Sequence, residues 1–328
     1  MLPPAAPPVP PALRMRTPGY AHHSLKFSPF FDNRIALASG ANFGLVGNGR
    51  VHIVNMSPGG LVVEKYFDTQ DCVYDIAWNE AHENQVLAVC GNGALRMFDI
   101  TLTGLPVAAW HEHTAEVVGA DWSNIEKGLF ATASWDGSAK VWSVDRATSI
   151  TTLPTGAGQC YSALFSPHTP SLLSTAGQDG TVRLWDLRTT ANPRPGVAFQ
   201  PQMSFRAGPA EILAADWNKY HPGVLATAGK DGVVRVWDTR NPSRPTAEMQ
   251  GHSLAIRKVQ WSPHHADILA SSGYDMTARV WVTRPSPAQI HVTAAHTEFT
   301  MALGWALFQE GLLATASWDQ ELHVYQNV

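Results

Sequence analysis

The residues of this chain best equipped for chemistry are histidines set close together and aspartates that sit just before a turn. The histidines lie at His22-His23, His111/His113 and His264-His265, and the aspartates are Asp136, Asp179, Asp231, Asp275 and Asp319. Neighbouring imidazoles could hold a metal ion, and a histidine beside a carboxylate could act as a base. The surrounding pattern argues against both. There is no HExxH, no GxSxG, no GxxxxGK[ST], and no GxGxxG between a strand and a helix. Cys72, Cys90 and Cys160 are odd in number and lack metal or redox spacing, as expected of reduced thiols in a cytosol-like compartment. The aspartates are of the kind that tight turns select. The expectation is a protein with no catalytic residues, no metal and no cofactor.

The aspartates belong to a recurring phrase. Leu129 to Trp142 (LFATASWDGSAKVW) reads as two strand-like runs joined at Asp-Gly, a strong β-hairpin signal. The phrase returns as Leu172–Trp185, Leu225–Trp237, Ile268–Trp281 and Leu312–Tyr325. A further strand precedes each hairpin and ends in an aromatic mark: Phe27, Trp78, Trp122, Phe165, Trp217, Trp261 and Trp305. Each hairpin closes on Val54, Phe98, Trp142, Trp185, Trp237, Trp281 or Tyr325. Successive first marks lie 43 to 52 residues apart, close to the spacing of four-stranded propeller blades. The sequence therefore predicts an all-β, seven-bladed propeller of the WD40 type over residues 13–328. Residues 1–12, rich in proline, form a disordered lead-in. The stretch from about Leu13 to Tyr20 is expected to supply the missing outer strand of blade seven and so close the ring. His113, His252 and His296, with Asp136, Asp275 and Asp319, resemble the Asp–His–Ser/Thr–Trp network of such blades.

Composition narrows the partners. A net charge of −4 offers no basic face for nucleic acid, and no apolar run approaches the length of a membrane helix. A protein-binding surface is the remaining candidate. If positions five and two before each first mark are buried, positions six and four face the rim where the inner strand begins. Position six gives Ala21, Cys72, Glu116, Gln159, Glu211, Ala255 and Phe299; position four gives His23, Tyr74, Val118, Tyr161, Leu213, Arg257 and Met301. The residue before the turn aspartate adds Trp135, Gln178, Lys230, Tyr274 and Trp318. Aromatic ground with Asp71, Asp75, Glu116 and Glu211 around it suits an amphipathic helix carrying lysine or arginine.

Several local motifs carry a family resemblance. Thr17-Pro18-Gly19-Tyr20, Leu25–Phe30 (LKFSPF), Asn42-Phe43-Gly44, Gly47-Asn48-Gly49-Arg50, Asp71–Glu80 (DCVYDIAWNE) and Glu112–Val117 (EHTAEV) resemble the receptors for type 2 peroxisomal targeting signals. The lengthened first hairpin, Ala41 to Asn48, sets this pattern apart from an arbitrary WD40 chain. The resemblance implies a non-enzymatic cytoplasmic receptor that cycles to the peroxisome. It implies cargo bearing an N-terminal helix of the form (Arg/Lys)-Leu-x5-(His/Gln)-Leu, a co-receptor that closes over that helix, and docking proteins at the peroxisomal membrane, without membrane insertion. On this reading Asp71, Asp75 and Glu116 receive the basic end. Tyr74, Trp135, Tyr161 and Trp318 receive the apolar face, with Glu211 among them. An alternative rests on Trp185–Arg188 and Trp237–Arg240, which resemble the Trp-Asp-x-Arg box by which some propellers dock as cullin-4 ligase adaptors or scaffolds.

Overall fold

Local turn chemistry and aromatic marks build seven antiparallel sheets of four strands each. The computed structural model describes residues 8–42, 47–156, 158–190 and 199–328. Most of the lead-in, and the middle of the long first turn with Phe43 and Gly44, lie outside the described residues. The inner strands are Tyr20–Phe27, Val73–Trp78, Val117–Trp122, Cys160–Phe165, Ile212–Trp217, Ile256–Trp261 and Thr300–Trp305, each ending on its predicted mark. The two marks of a blade oppose one residue of the middle strand. In blade three Phe130 pairs with Trp122 on one side and Trp142 on the other.

Burial explains why blades must stack. Val73, Ile76 and Trp78 of blade two pack with Ile53 and Phe67 of blade one in a single apolar cluster. A four-stranded sheet exposes two such faces, and only a neighbour on each side removes them from water. Polar staples add to this across successive blades. Asp75 accepts the Ala120 amide at 3.1 Å, Asp121 that of Phe165 at 2.8 Å, Asp216 that of Trp261 at 2.8 Å, and Gln260 that of Trp305 at 3.1 Å.

Ring closure follows the expectation. Leu13–Arg16 forms the outer strand of blade seven, in register Leu13↔Val324 to Arg16↔Glu321. Leu13 and Met15 pack on the cluster that joins blade seven to blade one. The turn beside it holds a residue whose role the sequence does not announce. Gln320 adopts φ of +72°, where blades three to five have glycine at the matching turn position. Its carbonyl accepts the Thr17 amide and its side chain accepts the Gly19 amide, both at 2.9 Å, so it latches the closing strand. Ahead of that strand, the Val9 amide donates to Val292 on the outer strand of blade six.

Candidate functional site

Every inner strand is bulged at the same place. The ladder slips between His22 and Ser24, Val73 and Asp75, Val117 and Gly119, Cys160 and Ser162, Ile212 and Ala214, Ile256 and Lys258, and Thr300 and Ala302. A bulge inserts one unpaired residue and re-aims its side chain. The inserted residues are His23, Tyr74, Val118, Tyr161, Leu213, Arg257 and Met301, the position-four set read from the sequence. The seven blades thus place one out-of-ladder side chain each around the mouth of the central channel.

The mouth is less open than the sequence suggests. His23, Val118 and Met301 are buried, as are Ala21 and Cys72 of the position-six set, so these five do not line an exposed rim. The remaining aromatics are half-buried and touch one another in an arc. Ring centroids are 6.2 Å apart for Trp135–Tyr74, 5.1 Å for Tyr74–His23, 5.9 Å for His23–Trp318, 5.3 Å for Trp318–Phe299 and 5.0 Å for Phe299–Tyr274. The arc runs from blade three through blades two and one to blades seven and six. Tyr161 of blade four stands apart from it. Its hydroxyl lies 2.7 Å from the Gln159 side chain and 3.0 Å from Glu211. Burial and the Glu211 carboxylate raise the Tyr161 phenol well above its ordinary value, and burial raises that of Tyr74 to about 12. Both hydroxyls stay protonated, and that of Tyr161 donates.

The four carboxylates are not equivalent. Glu116 is half-buried, and its side chain makes no hydrogen bond among the described residues; only its carbonyl is used, by the Trp135 amide at 2.9 Å. Asp71 spends one oxygen on the Cys72 amide at 2.7 Å. Glu211 already carries Lys230 at 3.1 Å and Tyr161. Asp75 does not stand on the rim: it is 4% exposed, in the channel wall. Lys258 reaches it across the channel at 3.3 Å, and the Ala120 amide takes the same carboxylate. Burial works against the Asp75 anion, but Lys258, Lys26 and the Ala120 amide together outweigh it and hold the carboxyl below its ordinary value; burial in turn lowers the Lys258 ammonium to about 8. The reason for the misplacement is the bulge. Beyond the inserted Tyr74 the alternation shifts, and the next side chain faces the channel.

Gly91 makes room for the Asp71–Tyr74 pair. It holds the turn position filled by Trp135 in blade three, and a Cβ there would lie 3.1 Å from the Tyr74 ring and 3.2 Å from Asp71. Trp135 itself carries a covered indole N–H with no partner among the described residues. A buried unpaired donor costs about 1–3 kcal/mol, and the indole of the blade mark Trp217 is left the same way.

The histidine–aspartate pairs are blade struts. His113 bridges Asp136 at 2.7 Å and Thr132 at 2.8 Å, and Thr132 takes the Trp142 indole at 2.9 Å. His252–Asp275–Ser271–Trp281 repeats the pattern, and His296–Asp319–Thr315 repeats it without the tryptophan. Burial would raise the Asp136 carboxyl, yet the bonds from His113 and from the Ser138 hydroxyl and amide together hold it far below the ordinary range. Blade one has a version that the sequence conceals, with His22 joining Thr17 at 2.9 Å and Ser39 at 3.0 Å, and Ser39 joining His52 at 3.1 Å. No group of three metal-ligating side chains occurs among the described residues. Arg188 and Arg240 each fold back on their own aspartate, with closest contacts of 2.6 and 2.7 Å. The three cysteines are buried, and burial pushes Cys90 and Cys160 up to about 12.

Comparison with known proteins agrees with this architecture. The model for the WD domain, G-beta repeat, matches residues 104–143, 147–186, 199–238 and 243–282. The chain is 37% identical to the peroxisomal targeting signal 2 receptor of Saccharomyces cerevisiae, over 75% of this chain and 77% of that relative. It is 33% identical to the receptor of the same name in Schizosaccharomyces pombe, with the same coverage, and 34% identical to that of Homo sapiens over half of each chain. Seven bulged blades with WD40 struts, and relatives of one name along three quarters of the length, lead to one conclusion: the chain belongs to the peroxisomal targeting signal 2 receptor family.

Proposed function

We propose that the mouth of this propeller binds the amphipathic helix of a type 2 peroxisomal targeting signal on cargo proteins. The observation that carries the reading is the aromatic arc Trp135–Tyr74–His23–Trp318–Phe299–Tyr274, with the Glu116 carboxylate and the second oxygen of Asp71 beside one end. Half-buried tryptophan and tyrosine are efficient anchors, because they bury a large ring at little conformational cost. A helix presents leucines on one stripe every three or four residues, so its apolar stripe matches an arc and not a deep hole. In this reading Tyr74, Trp135, Tyr161 and Trp318 take the leucine stripe. Asp71 and Glu116 take the leading arginine or lysine, and Glu211 fixes Tyr161 through its hydroxyl. Asp75 serves the channel wall beneath. The chemistry is recognition alone: no bond is made or broken, and no cofactor is required. A co-receptor closes over the exposed back of the helix, and the complex docks at the peroxisomal membrane before the receptor returns to the cytoplasm.

The test is titration of the native chain with a labelled (Arg/Lys)-Leu-x5-(His/Gln)-Leu helix, with and without a co-receptor fragment. Glu116→Lys is expected to weaken binding by about tenfold or more, since it turns an attraction at the basic end into a repulsion, while the far-UV spectrum and unfolding temperature stay native. Unchanged affinity in that variant removes Glu116 from the site, and no binding by the native chain in either condition overturns the reading.

A further inference from the structure

Among the seven bulge residues one is charged. Arg257 stands where the other blades place His23, Tyr74, Val118, Tyr161, Leu213 and Met301. It is half-buried, lines a channel of about 640 Å³, and has no hydrogen bond or ion pair among the described residues. Its neighbour Lys258 is committed to Asp75. Arg257 shares that channel lining with Tyr161 of blade four and Leu213 of blade five, two other bulge residues. A half-buried guanidinium with no hydrogen bond or ion pair among the described residues keeps its donors available to an acceptor.

Its place relative to the carboxylates gives the mouth a direction. Asp71 and Glu116 belong to blades two and three, and Arg257 to blade six, three blades away from either by the shorter path. On the Arg257 side the rim carboxylate Glu211 of blade five is already paired with Lys230 at 3.1 Å, so Asp71 and Glu116 leave the mouth acidic on the far side and Arg257 leaves it basic on the near one. A helix has the complementary polarity, positive at its N-terminus and negative at its C-terminus, and a basic residue in its first turn strengthens this. We propose that Arg257 binds the C-terminal end of the cargo helix, its free carbonyls and any carboxylate in its last turn, and so fixes the direction in which that helix lies. The inference rests on the mouth being the cargo site.

The experiment uses three synthetic helices of the pattern (Arg/Lys)-Leu-x5-(His/Gln)-Leu, identical except for Glu, Gln or Lys in the last turn, titrated into the full chain. The native chain is expected to bind them in the order Glu, Gln, Lys, spanning about tenfold. Arg257→Glu reverses the order, Arg257→Gln flattens it, and Arg257→Lys restores it. An Arg257 that only props the rings would lower affinity for all three helices alike, and an unchanged order in Arg257→Glu overturns the proposal. Binding of all three by the native chain with no preference also overturns it and leaves the cargo reading standing. Failure of the native chain to bind any of them overturns both.

Discussion

Three buried histidines near the ring seam should make this fold sensitive to mild acid. His22, His23 and His52 are each no more than 3% exposed, and burial, the largest cause for each, lowers their pKa to about 3. In the unfolded chain a histidine titrates near 6.5. Between these values the unfolded state binds the extra protons, so stability is full above pH 6.5 and is lost as the pH falls toward 3. The native imidazoles stay neutral down to pH 5, so the loss there is set by protonation of the unfolded chain. It comes to about 2 kcal/mol per histidine between pH 7 and 5, or roughly 6 kcal/mol for the three. That rivals the whole stability of many domains, about 5–15 kcal/mol. Urea unfolding at pH 7, 6 and 5 measures it. His23→Phe isolates one share, because the ring contacts to Tyr74 and Trp318 survive while a buried, unpaired Nε2 is removed. That variant should lose about 2 kcal/mol less on acidification than the native chain. Identical pH dependence of the two proteins refutes the argument that His23 is held neutral.

Two further outcomes follow from the same structure. A chain beginning at Tyr20 lacks the closing strand and bares Leu322 and Val324, which are fully buried in the native ring; it should be less stable by on the order of 3–5 kcal/mol, and a thermal midpoint equal to that of the full chain would show that the seam does not hold the ring. Trp135→Phe removes a covered indole N–H without a partner, so thermal stability should change little while affinity for the labelled helix falls by about tenfold; a large stability loss with native affinity would reverse the assignment of Trp135.

Blade number, blade boundaries and the closing strand were legible because their signals are local or periodic. An Asp-Gly turn, an aromatic mark and a fixed spacing each survive in a single sequence, and the shared middle-strand partner of Trp122 and Trp142 makes the spacing a geometric necessity. The site was legible only in part. Tyr74, Trp135 and Trp318 were found by comparing equivalent blade positions, and they meet through His23, whose burial the sequence does not reveal. The bulge was invisible because it is a relation between two strands, not a property of one. Its effect on alternation is what carried Asp75 from the expected rim to the channel wall, where a lysine 183 residues away meets it. The His22–Ser39–His52 strut was hidden for a related reason: the long first hairpin separates partners that are evenly spaced in other blades.

The latch at Gln320 also sets the order of events at birth. It joins positions 303 residues apart, Thr17 and Gln320, so the closing strand leaves the ribosome long before the strand it must pair with. At roughly 5–20 residues per second that interval is about 15–60 s. Throughout it blade one lacks its neighbour on the blade-seven side, and the faces of Leu25, Phe27 and Leu37 that later pack on Ala302, Ala314 and Leu322 have no cover. The aromatic arc also spans the seam, with His23 on one side and Trp318 on the other. A nascent chain therefore cannot present the complete arc until the last blade is finished.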